Sequence, residues 1–330
     1  MIRFDARRTA VAVFVPAALL GCSGDPTRGA NEGAIGSQRV HVELPARARG
    51  AVRIQDSRSG LAVRFALTAA RDAPIEMRGS GAHYRDAVHG SDLVLQPTQD
   101  GVEDLVFLRE PPPEPRISYT IEFEKVAGLR LVSRSLEFVD SGGVPRVRVA
   151  PPMITDARGA AIEAAFVLSG CAYDASPVPP WGRSPVAPGA TRCGLAVSWD
   201  DSPPFAYPAV LDPAWTATSN SMAVGRKWFQ AVRLTDGRVL VAGGTTPAGT
   251  TILTEIFDPA SGTWAMTGPM NVRRTFFAAA PLSGSRALAT GGASPSGTES
   301  SAEIFDNGSW TTVDAMSMPR QLHAAVTLGD

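Results

Sequence analysis

A chain of 330 residues with 44% hydrophobic and 19% charged residues has the balance of an ordinary globular protein, which excludes wholesale disorder and allows about two domains. A formal net charge of -1 provides no electrostatic footprint for nucleic acid. With 32 glycines, 27 prolines and 7% aromatic residues, the chain predicts an all-β fold dense in turns, with helix scarce.

Residues 1–21 read as an export signal. Met1–Arg8 is basic, and Thr9–Leu20 is an apolar run too short for a permanent span, which needs about 20 residues. The run ends in Leu19-Leu20-Gly21-Cys22, which resembles the lipobox of bacterial lipoprotein signal peptides. The resemblance implies that Cys22 receives a diacylglyceryl thioether, that the peptide before it is removed, and that the new N-terminus is acylated. Several acyl chains on one residue exceed the two signals that stable anchoring requires, at about 0.8 kcal/mol per buried CH₂. Ser23 stands where lipoproteins retained in the inner membrane of Gram-negative bacteria carry Asp, so the expected location is the outer membrane, facing periplasm or exterior. The alternative is an ordinary signal peptide with an incidental cysteine. Residues 22–38 carry almost no large apolar side chain and read as a lipidated, flexible tether.

Residues 39–216 predict a sandwich-like β domain. Val40–Leu44 and Ser118–Glu124 alternate apolar and polar side chains as half-buried strands do. Leu61–Leu67, Leu93–Leu95, Asp104–Leu108, Leu129–Val132 and Arg146–Val149 are further strands, separated by turn residues such as Ser141-Gly142-Gly143 and Asp156–Gly159. Glu103-Asp104 and Asp200-Asp201 read as solvated loop or strand-end charges. His83 and His89 read as residues of a polar loop rather than zinc ligands. Cys171 and Cys193 flank a proline-rich loop between two strand-like runs, Ala165–Leu168 and Leu195–Trp199. In an exported chain they are expected to form a disulfide worth about 3 kcal/mol in the chain-entropy model. Pro208 and Pro213 suit an edge strand or strand ends, and Asp212-Pro213 makes a natural domain boundary.

Residues 217–330 contain one pattern written twice and begun again. Met222, Arg226, Asp236-Gly237, Val239–Gly244, Glu255–Asp258 and Trp264 are matched by Met270, Arg274, Gly284, Ala287–Gly292, Glu303–Asp306 and Trp310. Met316, Arg320 and His323–Val326 start a third copy. A period of roughly 45–50 residues signals a repeat architecture. Asp236-Gly237 predicts a hairpin. The doublets Gly243-Gly244 and Gly291-Gly292 predict close backbone approach or positive φ, and each Trp a wedge between neighbouring sheets. These features together resemble the kelch repeat, including the branch in galactose-oxidase-like central domains. The resemblance implies a β-propeller with a structural hydrogen-bonding role for Arg226, Arg274 and Arg320. It departs from the family at Phe257 and Phe305, where the usual residue is Tyr. About two blades and the start of a third cannot close a ring, so the expectation is the front of a longer protein with an unpaired sheet edge and an exposed apolar face.

Nothing in the sequence marks catalysis. The four tyrosines, Tyr84, Tyr119, Tyr173 and Tyr207, all precede the repeats, which contain no Cys and the single histidine His323, so the copper site of galactose-oxidase-like enzymes has no ligands there. No cofactor, metal, nucleophile elbow or nucleotide fingerprint is expected. The favoured reading is a non-catalytic, lipid-anchored envelope protein that binds a protein or glycan through propeller loops bearing Thr245, Thr246, Thr250, Ser294, Ser296 and Thr298. The alternative is the N-terminal part of a larger exported enzyme whose active site lies in further blades.

Overall fold

The computed structural model describes residues 40–217 and 221–328, so the signal, Cys22 and the tether lie outside the described residues. Within them every regular element is a strand, and the sheets pair antiparallel. The fold is all-β.

Residues 40–217 build two large sheets around one core. A six-stranded sheet runs in the order Val40–Glu43, Val52–Asp56, Ala62–Leu67, Arg116–Glu124, Arg192–Ser198, Ala165–Ser169. Its central strand, Arg116–Glu124, directs Ile117, Tyr119, Ile121 and Phe123 inward and leaves Arg116 and Glu124 exposed, as a period of two requires. The second sheet has eleven strands and is centred on Gly101–Leu108, which pairs with Ser91–Pro97, Ala209–Asp212 and Ala214–Ala217. Trp215 of this sheet, fully buried, stacks on Phe65 of the other at 4.0 Å between ring centroids. That aromatic contact joins the two sheets across the core.

Several expectations need correction. Asp104 is not a solvated strand-end charge: it occupies an inward position of Gly101–Leu108, in line with Val102, Val106 and Leu108, at 0% exposure. The Tyr119 hydroxyl and the Trp215 indole face its carboxyl without reaching full hydrogen-bond geometry. It borders a cavity of about 10 Å³ beside Tyr119. Burial pushes its pKa up to about 7, an effect that Tyr119 and Trp215 partly offset and the Asp212 charge augments. His83 lies in the strand Gly81–Val88, half-buried, not in a polar loop. Asp212-Pro213 is a break within the large sheet, because the strands on either side of it both pair with Gly101–Leu108. Both are interior strands, so Pro213 stands at a strand end rather than on an edge.

Residues 221–328 contain two four-stranded sheets with the same order. One is Gln230–Arg233, Val239–Ala242, Thr254–Asp258, Thr263–Thr267; the other is Ala278–Leu282, Arg286–Thr290, Ala302–Asp306, Ser309–Val313. Asp236-Gly237 closes the first hairpin as expected, with the Gly237 amide bonded to the Leu234 carbonyl. Val232, Leu240 and Ile256 of one sheet and Ala287, Ala289, Phe305 and Trp310 of the other share a second core with Phe277, which precedes the second sheet.

The first of these sheets also meets the large eleven-stranded sheet, through buried charge. The outer strand Thr263–Thr267 would otherwise present bare backbone. Instead, the Met266 amide donates to Glu137 at 3.0 Å, the Trp264 carbonyl accepts from Arg148 at 2.8 Å, and the Thr267 carbonyl accepts from the Ser133 hydroxyl at 2.8 Å. Arg130 pairs with Glu137, and Arg148 lies 3.5 Å from Glu255, all with essentially no exposure. The expected disulfide between Cys171 and Cys193 is present, with Cα atoms 5.7 Å apart. It closes the base of the proline-rich loop, whose far end reaches the repeats. The Pro177 carbonyl accepts from Thr267, and Trp181 packs on the second core.

Candidate functional site

Each four-stranded sheet is preceded by a segment that an arginine anchors to that same sheet. Arg226 donates to the Gly243 and Leu253 carbonyls at 3.2 and 2.6 Å and to Glu255 at 2.6 Å. Arg274 makes the same set with Gly291, Ser301 and Glu303 at 2.8, 3.1 and 2.7 Å. Both ion pairs are wholly buried, and such a charge is tolerated only with partners on every side. Glu255 also accepts the Ala223 amide, and Glu303 the Asn271 amide, each at 2.6 Å. Arg320 differs: it is exposed, and its Nε reaches the Met318 carbonyl at 3.5 Å.

The glycine doublets make room for this packing. A Cβ on Gly243 would sit 2.7 Å from the Arg274 carbonyl oxygen, and one on Gly291 would sit 2.4 Å from that of Arg320. The Gly244 amide donates to the Arg274 carbonyl at 2.9 Å and the Gly292 amide to that of Arg320 at 2.8 Å. The third lead-in segment thus docks on the second sheet in the register the second uses on the first. Trp310, 8% exposed, donates from its indole to Thr254 of the other sheet at 3.1 Å, as a wedge between sheets would. Trp264 is half-buried against Phe257.

Two short hairpins stand on the same edge. Thr245-Thr246 pairs with Gly249-Thr250, and Ala293-Ser294 with Gly297-Thr298. The Thr246 and Ser294 hydroxyls close their own hairpins, donating to the Gly249 and Gly297 carbonyls and accepting the Ala248 and Ser296 amides. The Thr250 carbonyl accepts from Arg273. Ser296 and Thr298 are exposed, while Thr245 is half-buried.

The structure also brings in residues that the repeat pattern had not singled out. Bridges between Lys227 and Thr245 and between Thr275 and Ala293 seat each hairpin beside its lead-in segment. There Trp228, Phe276 and Leu322 occupy one repeat position, each two residues after the arginine, with φ of +57°, +53° and +58°. Bulky residues rarely adopt this conformation, at roughly 1–3 kcal/mol each. A ladder of bonds holds them: the Phe276 amide and the Thr275 hydroxyl donate to the Trp228 carbonyl, and the Leu322 amide to that of Phe276. Trp228 is 49% exposed and lies 4.8 Å from the Phe276 ring, with the Lys227 ammonium 4.3 Å over the indole. The alignment on Arg226, Arg274 and Arg320 places these three residues in one column of the sequence, two positions on.

His323 lies under Gly291 with its Nε2 3.0 Å from the Thr290 hydroxyl, and burial followed by the Arg320 charge holds its pKa down. Among the described residues no three His, Cys, Asp or Glu side chains gather as metal ligands, and no helix is long and apolar enough to cross a membrane. No protein-family model matches the chain, and no curated protein matches it.

Proposed function

We propose that this chain is a non-catalytic protein of the bacterial cell envelope, anchored through lipid on Cys22, whose four-stranded sheets are blades of a kelch-type propeller and whose hairpin edge binds a protein or glycan. In the same reading, residues 40–217 are a β-sandwich that carries the blades.

The observation that carries this reading is the recurring register. Gly244 to Arg274 and Gly292 to Arg320 are the same bond one repeat apart, and the Met270 and Met316 amides repeat it on the Ile252 and Ser300 carbonyls. Sheets that stack by one rule are the unit of a propeller. A stacked array of this kind leaves its connecting hairpins as the variable, solvent-facing edge, where binding residues concentrate.

Two measurements test the proposal. Labelled palmitate should enter the full chain and fail to enter Cys22→Ala; equal labelling of both removes the anchor. Exchange of the hairpin tips at residues 247–248 and 295–296 for Gly-Gly should abolish partner binding with the urea midpoint unchanged, and retained binding moves the site elsewhere.

A further inference from the structure

We propose that Trp228, Phe276 and Lys227 form a saccharide platform that takes the flat C–H face of a pyranose bearing an acidic substituent. This rests on the reading of the hairpin edge as a binding face and names the ligand class for it.

Three observations converge on this spot. A half-exposed indole is unusual for so large an apolar side chain, and here the backbone is held in a strained conformation that keeps it there. The strain recurs at Phe276 and Leu322 and is pinned by the carbonyl ladder, so it belongs to the repeat and is not an accident of one loop. Alongside runs a hairpin edge that bears the hydroxyls of Thr245 and Thr250.

The chemistry of that surface favours a sugar. A pyranose offers an apolar C–H patch to an aromatic ring and turns its hydroxyls toward a polar rim. A protein hot spot instead draws its energy from fully desolvated, well-packed pockets, and one half-exposed indole with a tilted phenyl beside it supplies no such pocket. A nucleic acid would need several phosphate contacts, which one ammonium does not provide.

Lys227 sets the charge preference. Glu255 is already held by Arg226, and Glu163 by Arg134 and by Arg273, which also donates to the Thr250 carbonyl. The Lys227 ammonium lies on the indole instead. An incoming carboxylate or sulfate at the edge of the ring would take up that charge while the sugar face replaces the lysine stem on the indole.

The test titrates the full 330-residue chain with an oligouronate hexamer, with neutral cellohexaose and with hexaglutamate, reading tryptophan fluorescence and heat. The oligouronate should bind and quench fluorescence, and cellohexaose should bind more weakly. Trp228→Ala should weaken oligouronate binding about tenfold, and Trp228→Phe should retain most of it. Lys227→Gln should erase the preference for the acidic sugar and flatten its salt dependence. Urea midpoints confirm that each variant is folded. Oligouronate binding unchanged in Trp228→Ala, binding of hexaglutamate alone, or no saccharide binding each overturns the platform. Oligouronate binding that survives Trp228→Ala but is lost on exchange of the hairpin tips overturns the platform and leaves the binding edge intact. Binding that survives both sets of changes removes the edge as well.

Discussion

Arg226, Arg274 and Arg320 carry the same place in the repeat and meet different environments. The first two are sealed into sockets of two carbonyls and a carboxylate, and the third lies in solvent. Removing a buried partner leaves an uncompensated charge, so Arg274→Met should cost roughly 3–5 kcal/mol of unfolding free energy in urea. The double variant Arg274→Met with Glu303→Gln should recover part of that loss, because no bare carboxylate remains. Arg320→Met should leave the midpoint where it is. Equal effects of the two single substitutions would mean that the socket contributes nothing.

At the level of elements, the outer strand Thr263–Thr267 and its counterpart Ser309–Val313 differ in what covers them. The expected unpaired edge is masked in the first case by side chains of Ser133, Glu137 and Arg148. In the second case Ser309, Thr311 and Thr312 are exposed. A capped edge cannot serve as a template for another strand. Amide hydrogen exchange should therefore be slow at Met266 and accelerate in Glu137→Ala, with unchanged rates in Ser309–Val313. The loop closed by Cys171 and Cys193 acts on the same junction. Replacing both cysteines with serine should lower stability by about 3 kcal/mol and increase exchange at Thr267, whose hydroxyl is bonded to Pro177. A loss confined to the large sheets would show that the loop does not brace the repeats.

For the whole molecule, the join between the two large sheets carries a pH dependence. Asp104 titrates near 3.8 when unfolded and near 7 when folded, so between those values the folded state holds a proton that the unfolded state has lost. The contribution of Asp104 to stability is then fully present at and below about pH 4, falls as pH rises toward 7, and is lost above it. At roughly 1.4 kcal/mol per unit of displacement the effect is on the order of a few kcal/mol. Urea unfolding of Asp104→Asn across this range should show a shallower decline than the native chain. A parallel decline in both would place the proton elsewhere.

Alternation over Ser118–Glu124, the Asp-Gly hairpin and the repeated glycine doublets were legible because each is a local rule: side-chain period, turn chemistry and steric room act over a few residues. The antiparallel all-β class and the disulfide followed from the same kind of reading. The strand Ser135–Val139 was not legible, because all five of its residues are buried and one is Glu137, so no alternation marks it. Asp104 looked solvated for the opposite reason, since a charged residue at an inward position reads as a strand end until the facing sheet is known. The row of Trp228, Phe276 and Leu322 was present in the repeat alignment, but its shared backbone strain and the exposure of Trp228 and Leu322 were not. Local composition therefore determined the class, the turns and the repeat. Which charges are buried, which edge is capped and which aromatic rings reach solvent were decided only in three dimensions, because each depends on residues about 50 to 130 positions away brought within a few ångströms.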